Sequence, residues 1–72
     1  MIALTAHAHQ RWDERFPYGG CPYVAYERAV YLHQRGERSV TTFFEDATTG
    51  AVFVVADGSI VTIFPDRSRV NT

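Results

Sequence analysis

Within residues 5–15, TAHAHQRWDER, His7, Arg11 and Arg15 recur every four residues, with Glu14 beside them. On a helix that spacing lines one edge. An imidazole, two guanidiniums and a carboxylate on one edge form a set that could work on a phosphodiester. The histidine moves a proton, and the arginines hold the phosphate and offset charge in the transition state. His7 lies in the first turn, where the positive end of the helix dipole disfavours the imidazolium and keeps a neutral base. An ordinary structural role accounts for the same residues. A helix that borders a core often carries arginines whose stems cover apolar surface, and Glu14 can simply pair with Arg11.

The remaining reactive residues are less suggestive. His7 and His9 would chelate a metal only on an extended segment, since i and i+2 diverge on a helix. No nearby set of Cys, His and Asp residues completes a site, so no metal and no other cofactor is expected. Cys21, in Gly-Gly-Cys-Pro, reads as a free structural thiol rather than an activated one. Tyr18, Tyr23, Tyr26 and Tyr31 could stack on bases, although Tyr26 fits a core position. Thr62, between Val61 and Ile63, is either a routine strand residue or a hydroxyl aimed at the His7–Arg11 edge.

The positioning elements follow from periodicity. Thr5 is a plausible N-cap, and Leu4, Ala8, Trp12 and Phe16 form a helical stripe. Pro17 ends that helix at Phe16. A second helix is expected from Pro22 through PYVAYERAVYLHQR to a C′ residue at Gly36, with Ala25, Tyr26, Ala29 and Val30 on its inner face. The period then changes. SVTTFF, AVFVVA and SIVTIF read as three strands, and Asp57-Gly58 reads as a type I′ hairpin turn. A two-residue turn pairs Ala56 with Ser59, Val54 with Val61 and Val52 with Ile63. On the other face it pairs Val55 with Ile60, Phe53 with Thr62 and Ala51 with Phe64. Ile2 to Leu4 is either a short strand or a lead-in, and residues 66–72 read as a polar tail.

The expected fold is α+β. Two N-terminal helices (residues 5–36) pack on a three-stranded, or four-stranded, antiparallel meander (residues 39–64). A chain of 72 residues is read as one domain, 1–72. Both faces of the meander are apolar. The face without helices therefore needs a cover, and a second subunit or protein partner would supply one. Val55 is read as a position on that outward face.

Composition narrows the partners. The net charge is −1 and all seven basic residues are arginine. That balance argues against a non-specific nucleic-acid binder and leaves only local contacts to RNA. The one cysteine excludes an internal disulfide framework. No signal-like N-terminus and no membrane-length apolar run is visible, so a cytoplasmic location is expected.

Thr5, His7, Ala8, Arg11, Glu14 and Arg15 spell T-x-H-A-x-x-R-x-x-E-R, and the chain ends in a hairpin closing on I-V-T-I-F-P. The combination resembles small bacterial and phage domains related to the BrnT and RelE toxins, within the barnase–EndoU–colicin–RelE superfamily of metal-independent ribonucleases. The resemblance implies N-terminal helices on an antiparallel sheet and a catalytic site of His7, Arg11, Arg15 and Thr62. The implied chemistry is attack of a 2′-hydroxyl on the adjacent phosphate. His7 would be the base or acid, the arginines would bind the phosphate and Thr62 would donate a hydrogen bond. Implied partners are RNA and an antitoxin. The alternative is a non-enzymatic phage or mobile-element protein that dimerises and binds or inhibits a host protein. A homodimer is expected in either case.

Overall fold

The computed structural model describes residues 2–70. The chain forms β1 (Ala3–Leu4), α1 (Ala6–Arg15), α2 (Pro22–Arg28), β2 (Val30–Arg35), β3 (Thr41–Glu45), β4 (Val52–Ala56) and β5 (Ser59–Phe64). A short 3-10 helix follows (Arg67–Arg69). The strands make one mixed sheet in the order β1-β5-β4-β3-β2. Only β1 runs parallel to its neighbour, pairing Ala3 with Ser59 and Leu4 with Ile60. The α+β class is as expected, but the sheet has five strands rather than three or four, and it is mixed. No helix among the described residues is long and apolar enough to cross a membrane.

The first helix follows its sequence signals closely. The Thr5 hydroxyl accepts the Ala8 N–H at 3.1 Å and lies 3.2 Å from the Val61 carbonyl, to which it donates. The cap therefore fixes both the helix start and its docking on β5. Ala8 and Trp12 are buried, and the Trp12 ring stacks on Phe16 and Phe53 at 5.0 and 5.8 Å. With Ala25, Ala51, Ile60 and Ile63 they make the larger core cluster.

The second helix corrects the expectation. It stops at Arg28 because Ala29 turns extended (ψ 144°), and residues 30–35 pair with β3. The run VYLHQR satisfies either period. Its β-branched and aromatic start, together with the open edge of β3, decides for strand. Gly36 is therefore a turn residue between β2 and β3. Its φ is +91°, and a Cβ there would stand 2.3 Å from the Ser39 carbonyl oxygen.

The Asp-Gly hairpin forms, with φ of 53° at Asp57 and 76° at Gly58, the two positive values a type I′ turn requires. Ala56–Ser59 and Val55–Ile60 pair as expected. Beyond them the register slips by one, giving Val54–Thr62, Phe53–Ile63 and Val52–Phe64. Val61 is the extra residue of a β-bulge. The slip puts Ile63 beside Phe53 under α1 and moves Thr62 beside Val54. Val55 is also corrected: by alternation along β4 it shares the face of Phe53 and packs toward the helices.

The face away from the helices already has a cover. Val70 is 3% exposed and packs with Phe43, Val52 and Val54, bordered by Leu32, Val61 and Phe64. Asp66 caps the 3-10 helix by accepting the Ser68 N–H at 2.8 Å, and Arg35 donates to the Val70 carbonyl. The segment read as a polar tail thus crosses the sheet as a strap, with residues 71 and 72 outside the described region. A dimer is not needed to bury this face. Replacing Val70 by aspartate should place a charge in that cluster and cost about 3 kcal/mol, read as a lower urea midpoint at unchanged slope. An unchanged midpoint would show that the strap contributes nothing to the fold.

Candidate functional site

Of the four residues expected to form a site, His7, Arg11 and Arg15 lie along one edge of α1, and Thr62 does not join them. The His7 side chain is exposed and makes no hydrogen bond or ion pair among the described residues. Arg11 grips Glu14 with Nη1 at 2.8 and 3.2 Å from the two carboxylate oxygens. Arg15 donates to the Ile63 carbonyl at 2.7 Å, closing the edge of β5 beyond the short β1. Both guanidiniums are engaged within the fold. Thr62 lies directly across from Val54. Cross-strand neighbours share a face, so its side chain belongs to the strap side of the sheet, opposite α1. The bulge at Val61 is the physical reason.

The strap side carries a different constellation. Phe43, 3% exposed, serves as its platform. The His33 ring stacks on it at 6.1 Å and 29°, and Phe64 stacks on it at 6.2 Å and 27°. The Arg35 guanidinium carbon stands 5.1 Å from the same ring centroid, within cation–π range. An open pocket of about 210 Å³ lies between β2 and the strap, lined by Leu32, His33, Arg67 and Val70. Arg67 reaches across to Glu45 at 3.9 Å and is 68% exposed. The pocket is smaller than the roughly 300–1,000 Å³ that holds a drug-sized ligand. An exposed imidazole and a guanidinium thus border one open space.

Sequence reasoning missed this set because it placed residues 30–35 on a helix. Read as a strand, H-x-R puts His33 and Arg35 on one face by alternation alone. Arg67 could not have been found that way, since only the return of the strap brings it near His33.

A second polar cluster is structural. Asp46 is 1% exposed and is held by Arg28 through Nε to Oδ1 at 3.2 Å and Nη2 to Oδ2 at 2.9 Å. The Thr49 hydroxyl donates to Oδ2 at 2.8 Å and the Thr48 N–H to Oδ1 at 3.3 Å. Hydrogen bonding to the Arg28 guanidinium, foremost, holds the carboxyl well below the usual range, at about 2. The same contact raises the Arg28 guanidinium. This cluster ties the end of α2 to the β3–β4 turn.

A family model described as "Putative RelE superfamily toxin domain" matches residues 4–67. No curated protein and no solved structure matches the chain.

Proposed function

The chain belongs to this family of RelE-superfamily toxin domains, and we propose that it acts as a metal-independent endoribonuclease through the pocket on the strap side of the sheet. The observation that carries the reading is the pairing of His33 with Arg67 around one open pocket. His33 accepts the proton of an RNA 2′-hydroxyl. The oxygen then forms a bond to the adjacent phosphorus, and the bond to the 5′-oxygen breaks. The products are a 2′,3′-cyclic phosphate and a 5′-hydroxyl that regains a proton. Arg67 balances the charge that gathers on the phosphoryl oxygens. Arg35 stands over Phe43 on the same face. An antitoxin is the partner expected of a toxin of this kind.

The test is cleavage of single-stranded RNA by purified protein in EDTA, with product ends identified. Cyclic-phosphate ends produced by the wild type support the reading, and intact RNA across varied substrates overturns it. A second reading rests on His7, which is exposed and uncommitted, as the base on α1. It requires activity to fall in His7→Ala and not in His33→Ala. A third, non-enzymatic reading draws on the exposure of Val24, Val30 and Tyr31, at 51%, 64% and 62%. Growth inhibition that persists without RNA cleavage, together with a host protein bound through these residues, would select it.

A further inference from the structure

On the helix side of the sheet, away from the His33 pocket, Ile2, Tyr23, Tyr26 and Glu27 line a second open pocket of about 210 Å³. Its walls are fixed. The Tyr23 hydroxyl accepts the Leu4 N–H at 3.3 Å, which pins that ring to β1. The Tyr26 ring meets Phe44 and Phe53 edge-on at 5.6 and 5.5 Å, both at 77°. Ile2 packs on the main core cluster. Glu27 completes the lining. It is exposed and makes no ion pair or hydrogen bond among the described residues. The fold uses every other wall of this pocket and leaves the carboxylate unengaged.

We infer that this pocket seats an arginine side chain presented by a partner protein. The space is too small for a drug-sized ligand and holds several water molecules' worth of volume, the scale of one long side chain. Two tyrosines and an isoleucine give apolar walls for an arginine stem. A tyrosine ring face attracts a guanidinium, and the Glu27 carboxylate in the lining can take it in a two-pronged hydrogen bond. A rigid aromatic pocket that receives one charged anchor is the arrangement from which a few residues carry most of an interface's affinity. Charge selects arginine over an apolar anchor, because Glu27 would otherwise be desolvated without a partner.

The test uses isotope-labelled full-length protein titrated with N-acetyl-arginine N′-methylamide and, separately, with its citrulline counterpart, which has the same shape and no charge. The expected result is amide shifts concentrated at Ile2, Tyr23, Tyr26 and Glu27, with the arginine compound binding at least fivefold tighter. Glu27→Gln, a change at an exposed side chain, should bring the two compounds to equal affinity. Equal binding by the wild type, shifts that ignore Glu27→Gln, or no shifts at this pocket would each overturn the assignment. The outcome is independent of RNA cleavage.

Discussion

Asp46→Ala should lower the stability of the domain by about 3 kcal/mol and its melting midpoint by more than about 10 °C. The carboxylate is nearly inaccessible to solvent, yet it ends four hydrogen bonds from Arg28, Thr48 and Thr49. Alanine leaves those donors without their acceptor and removes the link between α2 and the β3–β4 turn. The loss sits at the lower end for a broken buried pair, because the Arg28 side chain is 42% exposed and water can receive the orphaned guanidinium. A domain this small holds little in reserve. Thermal unfolding followed by circular dichroism checks the figure, and a midpoint shift of only a degree or two would refute it.

The same group makes stability depend on acid. Its folded value is about 2 against an ordinary 3.8, so the native state binds the proton less readily than the unfolded chain. This contribution is complete above pH 3.8 and disappears as pH falls from 3.8 to about 2. Its size is about 2 kcal/mol. Between pH 5 and 7 Asp46 adds no slope. Arg28→Ala should move the acid transition to higher pH, because the strongest influence holding the carboxyl down is gone.

The second large effect is on catalysis. Under the proposed reaction, His33→Ala should reduce the rate of RNA cleavage by roughly 10²- to 10⁴-fold, the usual contribution of a positioned general base. Arg67→Ala should cost on the order of 10²-fold through lost charge stabilisation. His7→Ala should leave the rate within about threefold, on the premise that a residue outside the site contributes little to the barrier. His33 and Arg67 are exposed, and neither belongs to a core cluster, so both variants should fold. Equal losses in His7→Ala and His33→Ala would remove the assignment.

The parts of the fold set by local chemistry were legible before any coordinates. Thr5 and the four-residue stripe through Trp12 define α1, and Asp57-Gly58 defines the hairpin. The features that escaped all depend on distant partners. VYLHQR becomes a strand because the edge of β3 is available. Two residues of β1 become a strand only because β5 runs alongside. The bulge at Val61 has no glycine or polar marker, and it shifts one strand by one residue. That small shift carried Thr62 to the other face, away from the His7–Arg11–Arg15 edge. Val70 looked like part of a polar tail because six of the residues from Asp66 to Thr72 are polar or charged. The seventh anchors the segment.

The pairing of β1 with β5 joins the first strand to the last, with 56 residues separating Thr5 from Val61 where the two meet. Closing a loop of that length costs about 3.5 kcal/mol in chain entropy before any contact compensates it. Strands 2 to 5 form a meander of local pairings and can assemble without this closure, whereas α1 has no surface to cover until β5 exists. The order of events during synthesis follows. The N-terminal segment leaves the ribosome before the surface it covers, so α1 cannot pack on its sheet until residues 59–64 have followed.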